Sequence, residues 1–412
     1  MKHFWTTCLV FVIIISFIIH FVFAFLFVVY TDGSSFIRFT NMNLLGSDNK
    51  KSDIMIIWSN MSYDIEFFNT SNWNCPKDCI DGKLLWERTR NTPASIVQYN
   101  DVMVWRSFLS LSTYFKGKDI FSNSHRCQGM ENESPWAFSS IINSLYSGNY
   151  IDEGFLDSSQ IWGEQYYHMI QEKAFLFGTI RPLLKDNPNL KIIVDSLPIK
   201  LSQFANLLGI NSKTFYIQDY TTLTTNVKKL HVPLFLDCAT QSSEYSLSTR
   251  QWIRDEHSNL YPTTSSSSKT FNNTASFIIK KPSDIIIINR IENGICNRCF
   301  LNSDGLYIQL QKIWGHKRKI HHLILGDYDM YDIMKLFSQT EFLIGPHGAG
   351  LVNMIFLPDN AKIIEIFNHP KECNFCFYEL SQTLGLKHKI ISPVDITHVN
   401  IPKIIQILDG LM

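Results

Sequence analysis

Three groups of residues stand where their types and spacing permit chemistry. The first is Phe342-Leu343-Ile344-Gly345-Pro346-His347-Gly348-Ala349-Gly350-Leu351, an apolar run that ends in a glycine-rich turn. Glycines let a backbone approach an anion closely, and the N–H groups that open a following helix point at it. His347 adds a hydrogen-bond donor or a positive charge beside such an anion. The second group is Glu164, His168 and Glu172, spaced i, i+4 and i+8, which on a helix share one face. A carboxylate beside an imidazole orients it and raises its basicity, so His168 with Glu172 makes an acid/base pair. The third is Arg290 with Arg298, beyond the run Ile285 to Ile288, where a guanidinium fork could grip phosphate oxygens bidentately. Each group also has a plainer reading: a tight turn with Gly for packing, a packed helix histidine with surface carboxylates, and surface ion pairs.

Such residues need elements to hold them, and the stretch after Pro282 supplies a regular set. Asp284 leads into a four-Ile strand buried on both faces. Leu306 to Trp314 reads as a helix, Ile320 to Leu325 as a strand, 330–338 as a helix, Glu341 to Ile344 as a strand and Ala361 to Phe367 as another. Strands alternating with helices of roughly ten residues predict a parallel, doubly wound α/β sheet, with ligands at the carboxyl ends of its strands. Upstream, Leu190 to Asp195 and Thr214 to Ile217 read as strands, with a helix over Phe204 to Gly209 between them. Ile54 to Trp58 is strand-like, and Pro402 to Leu411 reads as a closing helix.

The chain has 412 residues, room for two to three units of ~150 residues. Lys plus Arg and Asp plus Glu both number 37, which excludes a bulk polycation that wraps nucleic acid. Aromatics at 13% exclude a disordered chain. Phe4 to Tyr30 holds no charged residue and as a helix would run ~40 Å, enough to cross a membrane. A cleaved signal peptide would have a shorter apolar region, so a retained anchor is expected. Lys2 before it leans toward a cytoplasmic N-terminus and a lumenal body. Sequons at Asn60, Asn69 and Asn272 agree with that side; a fourth, Asn132, precedes Pro135. The expected organisation is a tail and anchor over 1–30, a stem over 31–75, an α/β half over 76–262, a low-complexity loop over 263–276, a second α/β half over 277–395, and a closing helix over 396–412. Eight cysteines lie outside the anchor, an even number that suits disulfides; the pairs Cys296/Cys299 and Cys373/Cys376 could instead form a four-thiolate zinc site. P-loop, zincin and nucleophile-elbow motifs are all missing from the sequence.

The run Gly345 to Phe356, G-P-H-G-A-G-L-V-N-M-I-F, resembles the signature of glycosyltransferase family 61, which includes β-1,2-xylosyl-, arabinosyl- and N-acetylglucosaminyltransferases. Other pieces occur in matching order: Tyr166-Tyr167-His168-Met169-Ile170-Gln171-Glu172, Ile287-Ile288-Asn289-Arg290, and Ile363-Ile364-Glu365-Ile366. The resemblance spans roughly 160–390. It implies a GT-B fold, two Rossmann-like domains facing a cleft, and inverting transfer of a xylose-, GlcNAc- or arabinose-type sugar from a UDP-sugar to a glycan or glycoprotein. On that reading Arg290, Arg298, His347, Gly348, Ala349 and Gly350 bind the donor phosphates. Glu365 binds the ribose or, more plainly, forms a salt bridge. His168 and Glu172 act as the acid/base pair, and no metal cofactor is required. With the apolar N-terminal run, it suggests a single-pass type II protein of the Golgi or endoplasmic reticulum membrane, with no nucleic-acid partner. The sequence departs from the family at Lys173 to Phe177 and in the loop Ile291 to Cys296.

Two rivals accompany this reading. One is a non-catalytic binder of nucleotide sugars or glycans with the same fold. The other is a Mn²⁺-dependent GT-A transferase using Asp327 and Asp329 of Asp327-Tyr328-Asp329. Asp329 is equally placed to cap the helix that follows it.

Overall fold

A computed structural model describes residues 54–56, 95–106, 111–115, 118–120, 149–157, 165–218, 224–233, 243–261, 281–290, 299–367, 376–391 and 398–412. The expected anchor, the loop 263–276, all four sequons, Glu164 and Arg298 lie outside them. No helix among the described residues is long and apolar enough to cross a membrane.

Along the chain come Ile54–Ile56 (β1), Ser95–Arg106 (β2), Leu111–Phe115 (β3), Lys118–Ile120 (β4) and Asn149–Leu156 (β5). A π-helical turn, His168–Lys173, and a 3₁₀ turn, Ala174–Leu176, lead into Phe177–Asp186 (α1). Lys191–Val194 (β6), Ile199–Leu207 (α2), Phe215–Ile217 (β7), Thr224–Pro233 (β8) and Ser243–Glu256 (α3) complete the first half. The second half holds Asp284–Asn289 (β9), Ser303–Trp314 (α4), Ile320–Ile324 (β10), Met330–Ser338 (α5), Thr340–Pro346 (β11) and a 3₁₀ helix, Ala349–Phe356. Lys362–Ile366 (β12), Cys376–Thr383 (α6), Lys387–Ile391 (β13) and Ile401–Leu411 (α7) close the chain.

The architecture is α/β with parallel strands in both sheets. The second sheet runs β10-β9-β11-β12-β13 and is parallel throughout. Strand order reverses between β9 and β11, the switch point at which open α/β sheets leave a crevice. The first sheet runs β4-β3-β2-β8-β5-β6-β7, with β1 beside β2. Its strands β8, β5, β6 and β7 are parallel and reverse order between β5 and β8. Among the described residues, the first half also carries an antiparallel wing, β1 to β4, that the second lacks. Only four residues separate β2 from β3 and two separate β3 from β4, and such short links join antiparallel neighbours only.

The four-Ile strand is buried on both faces, as expected from its composition. Ile285 and Ile287 pack with Phe300, Leu306, Trp314 and Ile404 on one side. Ile286 and Ile288 enter a different core, which also takes in Leu343, Met354, Phe155 and Phe204. Burying one such side chain contributes about 1.5–3 kcal/mol. That second core is shared by elements of both halves, and Phe204 meets Phe356 with ring centroids 5.8 Å apart. Buried Arg250 of α3 adds directed bonds, donating to the carbonyls of Leu357 (2.8 Å) and Leu384 (2.9 Å). The halves are thereby held in register around the carboxyl ends of β9 to β11.

Candidate functional site

The carboxyl ends of β9, β10 and β11 enclose a cavity of about 250 Å³. β9 contributes Ile288 and Asn289, followed by Arg290; β10 and its following turn contribute Ile324, Leu325 and Gly326. Pro346, Gly348, Ala349 and Gly350 form the wall after β11, while Tyr166 and Lys200 reach in from the first half. Among the described residues, the lining holds the cations Lys200 and Arg290 and no carboxylate.

Local bonds explain why these residues meet. The Asn289 side chain accepts from the N–H groups of Arg290 (2.9 Å) and Phe300 (3.2 Å) and donates to Ser303 Oγ (2.8 Å) and the Phe300 carbonyl (3.1 Å). That fixes the chain where β9 ends and Arg290 begins. At Gly345 any Cβ would lie 2.3 Å from Ile288 Cγ1, so only glycine lets β11 lie this close to β9. Gly348 differs: its backbone is extended, and an added Cβ would meet nothing nearer than 3.9 Å. Packing gives no reason for glycine there, and its bare backbone faces the cavity. The first bond of the following 3₁₀ helix runs from Leu351 N–H to the Gly348 carbonyl (3.0 Å). The N–H groups of Ala349 and Gly350 therefore have no partner within the helix. Asn353 steadies this turn by donating to the Gly350 carbonyl (2.9 Å) and accepts from the Tyr166 hydroxyl (2.7 Å). Burial pushes that hydroxyl far above its ordinary pKa, despite the bond to Asn353, so it remains a donor.

His347 and Glu365 are expected from sequence as phosphate and ribose contacts, with a salt bridge as the plainer role for Glu365. Both are buried, and neither lines the cavity. His347 Nδ1 bonds Glu365 Oε1 at 2.5 Å, and His388 Nε2 lies 2.9 Å from Glu365 Oε2. Burial would raise the Glu365 carboxyl, but its pairing with the two imidazoles outweighs this and brings it down to about 2. The trio lies behind the glycine turn: Glu365 pairs with Gly345 across β11 and β12, and the His347 N–H bonds the Ile366 carbonyl at 2.8 Å.

His168 and Glu172 do meet, with Nδ1 2.7 Å from Oε1. The turn carrying them is π-helical rather than α-helical, a geometry frequent at functional sites. His168 is 19% exposed and Glu172 2%. Neither lines the cavity, although Tyr166 on the same stretch does. The π turn also inserts Lys173 into the interior, where its ammonium lies 2.7 Å from Asp195 just after β6. Nearby Asp157, directly after β5, is wholly buried, and neither of its carboxyl oxygens has a hydrogen-bond partner. Burial pushes it up to about 7, with Asp195 adding to the rise and Lys173 opposing it.

Asp329 caps α5 by accepting from the Asp332 N–H (2.8 Å), and neither Asp327 nor Asp329 lines the cavity. Of the four cysteines in the zinc alternative, Cys299 is in a disulfide and Cys376 is a buried thiol, while Cys296 and Cys373 lie outside the described residues. Sequence reasoning gave no role to Lys200, Asn289 or Asn353. Asn289 and Asn353 lie inside the motifs already quoted, while Lys200 carries no local signal.

The sequence pattern of the family described as Glycosyltransferase 61 matches residues 166–364, so the chain carries that family's pattern from the π turn to β12. The chain is 29% identical over 91 residues to the EGF domain-specific O-linked N-acetylglucosamine transferase of Mus musculus, covering 22% of this chain and 17% of that protein. It is 31% identical over 83 residues to the Protein O-linked-mannose beta-1,4-N-acetylglucosaminyltransferase 2 of the same organism, covering 20% and 13%. Against the Homo sapiens form of the latter it is 30% identical over 102 residues, covering 25% and 16%. The chain thus spans about a sixth of the length of these relatives.

Proposed function

We propose that the chain is a glycosyltransferase that moves a sugar, with inversion, from a UDP-sugar to a hydroxyl of a glycan or glycoprotein. Its two α/β halves act as the Rossmann-like domains of a GT-B enzyme. The observation that carries this is the convergence, at the switch point of the second sheet, of Arg290 with the bare backbone of Gly348 to Gly350, in a cavity to which the described residues bring no carboxylate. A guanidinium and backbone N–H groups without a partner in their own helix suit a diphosphate. The names of the relatives make N-acetylglucosamine the first sugar to try, ahead of xylose and arabinose.

In the reaction, the acceptor hydroxyl loses its proton to the ring nitrogen of His168 that is not bonded to Glu172. The acceptor oxygen then bonds to the anomeric carbon from the face opposite the diphosphate. The bond from that carbon to the diphosphate oxygen breaks, and its electron pair leaves with UDP. Glu172 stabilises the imidazolium, while Arg290 and the N–H groups of Ala349 and Gly350 stabilise the charge on the leaving group. His347, Glu365 and His388 hold the turn in shape from behind. The guanidinium supplies charge relief without a divalent metal. The run Phe4 to Tyr30 would anchor the body in the Golgi or endoplasmic reticulum membrane with its catalytic part in the lumen.

The test is transfer from UDP-GlcNAc, UDP-xylose and UDP-arabinose to glycoprotein acceptors, with and without chelator, by wild type and Arg290→Ala. One donor should support chelator-resistant turnover that Arg290→Ala loses. Failure of the wild type to bind any UDP-sugar would sink the reading; binding without turnover would leave a lectin-like protein.

A further inference from the structure

We propose that Lys200, supplied by the first half, is the second cation of the diphosphate grip and acts mainly on the charge that appears as UDP departs. The inference rests on the function proposed above and extends it to a residue that no motif singled out.

Lys200 sits in the first turn of α2 and is half-buried at the cavity wall. Its helix is firmly seated: Leu201, Phe204, Ala205 and Leu207 are buried, and Gln203 accepts from the Met330 N–H of α5 at 3.3 Å. The Lys200 ammonium donates to the carbonyl of Tyr328, just after the turn that brings Leu325 and Gly326 to the cavity. That partner is neutral, so the positive charge is not cancelled there. An ammonium has three donors, and one bond to a carbonyl leaves two for a ligand. The other cation in the lining, Arg290, comes from the opposite half, so an anion in the cavity would be held from both sides.

Charge arithmetic explains why two cations are useful. The diphosphate of a sugar nucleotide carries two negative charges, and released UDP carries a third once the sugar bond breaks. A cation whose attraction grows with that third charge stabilises the transition state and product more than the bound donor. Lysine suits this as a compact point charge, whereas the planar Arg290 fork suits two oxygens at once.

The experiment uses the full chain in detergent and measures binding of UDP and of uridine, at low and high salt, to wild type, Lys200→Gln, Lys200→Arg and Arg290→Ala. Thermal unfolding of each variant is followed in parallel. Lys200→Gln is expected to weaken UDP roughly 10- to 100-fold, leave uridine unchanged, and flatten the salt dependence of UDP binding. Lys200→Arg should recover most of the loss. If Lys200→Gln weakens UDP and uridine equally, the residue merely braces α2 and the inference is overturned. If wild type binds UDP, Arg290→Ala loses it and Lys200→Gln does not, the inference fails alone. If wild type binds no UDP, the proposed function fails and takes this inference with it.

Discussion

Beyond the carboxyl ends of β9 and β11 the strand order reverses over an open cavity; beyond those of β5 and β8 it reverses close to a packed ionic interior. Among the described residues, the first place has bare glycine backbone, the cations Lys200 and Arg290, and no carboxylate. Around the ends of β5 and β6 lie Asp157, Asp195 and the inserted Lys173, beneath a π-helical turn. Topology alone offers a crevice at both reversals. What distinguishes them, among the described residues, is what stands beside each reversal. After β11 comes a glycine turn with no side chain to fill the space. The π turn, by contrast, drives one long cation inward to meet carboxylates. On the proposed function, the open reversal is suited to bind an anion and the filled one to hold the proposed pair of His168 and Glu172 rigid.

Four substitutions sharpen or break this contrast. Lys173→Ala should have the largest effect, since it removes the buried ammonium that pairs with Asp195 and offsets the charge of buried Asp157. Removing one member of a buried pair costs about 3–5 kcal/mol, read as a lower denaturant midpoint. A loss under 1 kcal/mol would mean that the filled reversal is not held by charge. Arg290→Ala should lower kcat/KM for the sugar donor roughly 100-fold with unfolding unchanged, because it removes charge from the open reversal only.

Asp157→Asn tests the filled reversal through pH. The native carboxyl titrates near 7, against an ordinary value near 4, so the folded state binds the extra proton between those values. Wild-type stability should therefore fall as pH rises through that window, with the full loss present above pH 7. The variant should lack that slope, a difference of roughly 1–3 kcal/mol between pH 5 and pH 7.5. Parallel stability curves for the two proteins would contradict it. Gly348→Ala should be the mildest. An added methyl fits the fold, so unfolding should shift by less than about 0.5 kcal/mol, while it intrudes on the cavity and weakens UDP roughly tenfold.

The second half was largely legible in sequence because its signals are local. Four consecutive isoleucines can only be buried on both faces, and a glycine turn after an apolar run marks a strand end wherever it lies. Helix 330–338 and its Asp329 cap were readable for the same reason. Contacts between distant segments left no such mark. The antiparallel wing depends on pairing between β2 and β8, more than a hundred residues apart. β13 was missed because exposed Lys387 and half-buried His388 dilute its apolar pattern. The bond from His347 to Glu365, which stands between the rings of His347 and His388, left no local mark either. Lys200 resembles any helix-surface lysine until α2 docks on α5.

The central claim is that the open reversal between β9 and β11 holds the diphosphate. The most direct measurement is a crystal structure of the chain with UDP. The account predicts phosphate oxygens within roughly 2.7–3.2 Å of the Arg290 guanidinium and of the N–H groups of Ala349 or Gly350. UDP bound beyond β5 and β8, or a cavity left empty at saturating UDP, would contradict it.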